Sequence, residues 1–115
     1  MSNIQLVKQY FEALNQATRT RDFNRVLAMF TDDATFYFMG SPKRGKEAIG
    51  KFFENFPVGR IKASNLSIER GVVTADIEQQ VSDTQRPVKA TLTFVIEEDK
   101  IKYLSIEPQG KESAF

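Results

Sequence analysis

The chain has 115 residues, 41% of them apolar and 27% charged, with a formal net charge of +1. That fits one globular domain with a real core, and gives no electrostatic reason to bind nucleic acid or an anionic membrane. It holds no cysteine and no histidine. Disulfides, thiolate chemistry and histidine-based triads are therefore excluded, and carboxylates alone are a poor set for zinc or non-haem iron, so we expect no metal and no other cofactor.

From Ser2 or Asn3 as a cap, Ile4, Val7, Phe11, Leu14 and Thr18 trace a helical stripe, with Leu6, Tyr10, Ala13 and Ala17 on its flanks. After a polar break, Asp22 is an N-cap for a second, shorter helix whose Phe23, Val26, Leu27 and Phe30 face the core. Thr31, Asp32 and Asp33 favour a turn, because short oxygen-bearing side chains bond nearby amides. Residues 34–39 then read as an aromatic strand with Phe36 and Phe38 on one side and Thr35, Tyr37 and Met39 on the other. Gly40, Ser41 and Pro42 break it. Gly45 leads into a third helix, whose Ile49, Phe52, Phe53 and Phe56 make one apolar face before Pro57 and Gly59 stop it.

Beyond residue 59 the period changes to two. Residues 60–69 form a strand with a bulge near Asn65, since Ile61 and Ala63 are out of phase with Leu66 and Ile68. Arg70 and Gly71 turn the chain, and residues 72–81 return with Val73, Ala75, Ile77 and Gln79 on one face. After a polar loop at 82–87, residues 88–97 alternate most cleanly, with Val88, Ala90, Leu92, Phe94 and Ile96 inward. Asp99 and Lys100 turn it, and residues 101–107 finish the sheet. The order predicts an α+β fold: a curved antiparallel sheet wrapped around three N-terminal helices, a cystatin-like cone with a mouth. Residues 1–110 form the domain and 111–115 a loose tail. No run reaches membrane-spanning length and no basic-then-apolar leader is present, so a cytoplasmic location is expected.

The run DDATF, then Gly40 and Gly45, then AIGKFF, resembles the nuclear transport factor 2-like superfamily, in its SnoaL-like or ketosteroid-isomerase-like branch. The resemblance spans nearly the whole chain and is specific for the fold, which hosts enzymes, binding modules and assembly domains alike. In isomerases of this kind it implies a general base on the first strand, a second acid on a later strand and a tyrosine on the first helix. Those positions fall on Phe38, on the acid-free residues 91–95, and on Tyr10. Only the tyrosine is matched, so the resemblance carries the fold and leaves isomerase chemistry unsupported.

A hydrophobic pocket is expected from Tyr10, Phe36, Phe38, Phe52, Phe53, Phe56 and Phe94, with Tyr103 as a further member if its strand register points it inward. Three functions follow from that. The first is binding of a small hydrophobic molecule in the aromatic cone, with Tyr10 as the hydrogen-bond donor. The second is an isomerase, cyclase or lyase acting on an apolar carbonyl compound. The third is an assembly domain with a cone filled by its own phenylalanines. A homodimer through the sheet is expected, because Thr91, Thr93, Val95, Thr74 and Val72 make its second face mixed rather than charged. Lys43, Arg44 and Lys46, ahead of the third helix, read as a solvated basic loop or an anion dock, and Glu107 lies at a strand end near the mouth.

Overall fold

The computed structural model describes residues 2–55, 60–80 and 87–109. The first helix, α1, spans Asn3–Thr20 and opens on a capping box in which Ser2 and Gln5 satisfy each other's backbone amides. It ends where Arg21 turns left-handed and donates its N–H to the Ala17 carbonyl at 2.8 Å. Its buried residues are Leu6, Val7, Tyr10, Phe11, Ala13, Leu14 and Ala17, so the flanking residues lie in the core together with the stripe. The helix is covered on more than one side, and a two-sided cover widens the apolar stripe.

The second helix, α2, is a single turn, Asn24–Leu27, with Phe23 rather than Asp22 at its N-cap, while the Asp22 carboxylate accepts from the Asn24 amide at 3.0 Å. Phe30 does not close it. It opens strand β1, Phe30–Phe38, and pairs with Ile101. Thr31 and Asp33 do bond side chain to side chain at 3.0 Å, but within a register shift of that strand rather than in a turn. A second unforeseen element is β2, Ser41–Arg44, which folds back on β1 through Met39 and Gly40, both at positive φ. Pro42 is tolerated because β2 is an edge strand. Gly45, at φ 85°, donates to the Ala34 carbonyl and launches α3, Lys46–Asn55.

The remaining strands are β3, Arg60–Glu69; β4, Val72–Gln80; β5, Val88–Glu97; and β6, Lys100–Pro108. They form one six-stranded sheet in the order β2-β1-β6-β5-β4-β3. The expected α+β cone is the observed fold, with one correction: β1 pairs with β6 in parallel. The bulge in β3 lies where the phase change put it, between Ser64 and Ser67, with Asn65 at φ 51°. A second bulge between Val95 and Ile96 puts an extra residue, Lys102, into β6. The β5–β6 turn centres on Glu98 and Asp99, both at positive φ, one residue earlier than expected. Phe56, the helix stop at Pro57 and Gly59, most of the 82–87 loop, and the tail from 111 lie outside the described residues. No helix among the described residues is long and apolar enough to cross a membrane.

Candidate functional site: an aromatic cone and an uncharged sheet face

The sheet's inner face closes over the helices with two groups of rings. In one, Tyr10 meets Phe11, Phe30 and Phe94 edge-on at 5.7, 5.9 and 5.5 Å between centroids. In the other, Phe52 meets Phe36 and Phe38 at 5.0 Å each, and Phe53 stacks on Phe23 at 5.2 Å. Such tilted and edge-on contacts are the favoured aromatic geometries. Between the groups lies a cavity of about 20 Å³, enough for roughly one water molecule.

Tyr10, Phe36, Phe38, Phe52 and Phe53 line that cavity together, as expected. Phe94 does not. It is buried behind Tyr10 and Phe11, in solid core. Tyr103 is also corrected, because it pairs with Thr35 and Val95 on the sheet's other face. The bulge at Lys102 is the reason: it shifts the alternation, so Ile101 and Leu104 both point inward and Tyr103 outward. Phe56 lies outside the described residues. Leu14, Ile61, Ile77, Leu92 and Ile106 complete the wall, with Gln79. Gln79 was legible as a polar residue in phase with Val73, Ala75 and Ile77, and it is 7% exposed.

Tyr10 is 1% exposed. Burial pushes its phenol far above the ordinary value of 10.0, so it stays protonated as a hydrogen-bond donor. Among the described residues, the cavity wall is apolar apart from Tyr10 and Gln79, and no carboxylate lines it. Glu107 pairs with Thr91 on the outer face. No cluster of three or more potential metal ligands occurs among the described residues.

A scan against family models matches the SnoaL-like domain over residues 7–104. The chain belongs to the SnoaL-like domain family. Solved structures similar to this SnoaL-like domain include a protein from Sphaerobacter thermophilus, at 22% identity and TM-score 0.75, covering 96% of this chain and 99% of that one. Another is a candidate polyketide cyclase from Sinorhizobium meliloti, at 19% identity and TM-score 0.74, covering 90% and 94%. A third is a candidate ketosteroid isomerase from Kribbella flavida, at 13% identity and TM-score 0.75, covering 94% and 83%. Identities this low carry the fold. No curated protein matches.

The outer face of the sheet is different in kind. One row across it reads Val72, Val95, Tyr103, Thr35, and the next Thr74, Thr93, Ser105, Tyr37. These eight positions carry no charge. Charged groups begin at the margins, where Lys102 meets Glu97 at 3.2 Å and Lys89 meets Glu78 at 3.8 Å. The hydrogen bond to Glu97 and its charge hold the Lys102 ammonium above its ordinary value. Asp76 closes one end, accepting from Asn65, Thr91 and Gln109 at 3.0, 3.2 and 2.8 Å.

Proposed function

We propose that this SnoaL-like domain is an assembly module: its own side chains fill its cone, and the outer face of its sheet takes a second copy of the chain. The observation that carries the reading is the size of the cavity. Ligand pockets measure roughly 300–1,000 Å³, and the cone keeps about 20 Å³ with no carboxylate in its wall among the described residues. The outer face supports the choice of partner. In a two-fold pair the same patch meets itself, so a charged patch would repel its copy and an uncharged one does not. Val95, 37% exposed at the centre, offers apolar area to such a contact. The cytoplasm suits this role, an expectation that rests on the sequence alone. Sedimentation velocity at micromolar concentration tests the pairing. The reading expects a species of twice 13.1 kDa, and a species at 13.1 kDa would remove it.

A second reading keeps the small hydrophobic ligand, and one observation favours it. Phe38 and Phe52 line the cavity yet are only half-buried, so a ligand that turned both rings outward would gain their space. That reading expects a fatty acid, steroid or polyketide to raise the melting temperature, with the shift reduced in Tyr10→Phe. A flat response across such a panel would leave assembly alone.

A further inference from the structure

Outside the cone, β2 and α3 bound an open groove of about 410 Å³. Its helical wall is Ala48, Lys51, Phe52 and Asn55, spaced i, i+3, i+4 and i+7, so the four form one stripe beside the buried Ile49 and Phe53. Lys43 of β2 forms the opposite side. Among the described residues, no acidic side chain lines the groove.

Each ammonium has only a weak local partner. Lys43 Nζ lies 3.2 Å from the Ser41 hydroxyl, which offsets none of its charge. Lys51 pairs with Glu47 at 3.6 Å, but these side chains are 70% and 88% exposed, and ion pairs so open to water hold little. Two cations facing one groove repel each other, and an anion between them relieves that. The Phe52 ring on the wall offers a flat apolar surface that an isolated inorganic ion would not use.

We propose that this groove binds a small organic acid, its apolar or aromatic body against Phe52 and Ala48 and its carboxylate between Lys43 and Lys51. The groove shares only the Phe52 ring with the cone cavity and does not depend on the pairing role. The charge selects the anion, and the ring selects an acid with an apolar body over a bare carboxylate.

The test is a titration of the ¹⁵N-labelled chain, followed by amide shifts, with 3-phenylpropionate, 3-phenyl-1-propanol and propionate at constant ionic strength. Saturable shifts at Lys43, Ala48, Lys51 and Phe52 are expected with phenylpropionate. The alcohol, which lacks the charge, and propionate, which lacks the ring, should each bind about tenfold more weakly. Lys43→Gln and Lys51→Gln should each weaken phenylpropionate by a similar factor. Lys51 is mostly in water, so its variant keeps the fold and decides the matter if Lys43→Gln does not. Equal binding of acid and alcohol, or unchanged binding in Lys51→Gln, would overturn the proposal. So would shifts confined to Leu92 and Ile77, which would put the ligand in the cone instead.

Discussion

The two faces of one sheet make opposite use of the same strands. On β5, Leu92 and Phe94 point inward and are buried, while Thr93 and Val95, their chain neighbours, point outward among hydroxyls and an exposed methyl surface. The inner face is saturated with packing partners and leaves room for about one water. The outer face carries no charge at its eight central positions, and Val95 there is 37% exposed. The difference locates the open question about this domain on its surface rather than in its cone.

Substitutions on the two faces sharpen that contrast. The largest effect is expected from Phe94→Ala. The ring is fully buried against Tyr10 and Phe11, and removing such a ring costs about 3–5 kcal/mol, measured by chemical denaturation. Phe38→Ala, at the half-buried cavity edge, should cost about 1–2 kcal/mol, since less apolar area returns to water. Equal losses at the two positions would mean that the cavity edge is packed as firmly as the deep core.

A smaller, pH-dependent effect belongs to Tyr10. Burial raises its folded phenol above the ordinary 10.0, so above that pH the unfolded chain releases a proton that the folded chain keeps. Stability contributed by the neutral phenol is complete below pH 10 and falls as pH rises past it. Tyr10→Phe should be close to neutral at pH 7 and lose less stability than the parent between pH 10 and 11. A parallel loss in both proteins would mean that the hydroxyl is in contact with water. The smallest effect on folding should come from Thr93→Arg, on the outer face, within about 0.5 kcal/mol. The same change is expected to abolish the proposed pairing, because it adds a like charge to the face that each copy would present to the other.

The inner face was readable because alternation in β4 and β5, and the helical spacing in α1 and α3, each follow one period. The features that were not readable depend on distant partners. Phe30 continues the spacing of Phe23 and Val26, so its sequence reads helical. It is a strand residue because Ile101, 71 positions away, pairs with it and donates to the Met29 carbonyl. Ser41–Arg44 has neither apolar alternation nor β-branched residues, and it becomes a strand only by closing a hairpin on β1. Tyr103 was undecidable because the bulge at Lys102 resets the phase, and nothing local marks it. Within the candidate site, the ring residues were found by their type. The exclusion of Phe94 from the cavity wall depends on depth, which sequence periodicity does not encode.

The uncharged outer face is proposed to meet its own copy. The most direct test is an isotope-filtered nuclear Overhauser experiment on a mixture of labelled and unlabelled chains. Intermolecular contacts are expected from the Val72 and Val95 methyls to Tyr103 of the other copy. Intermolecular contacts arising only from the helices, or none from this face at concentrations where the mass is doubled, would contradict it.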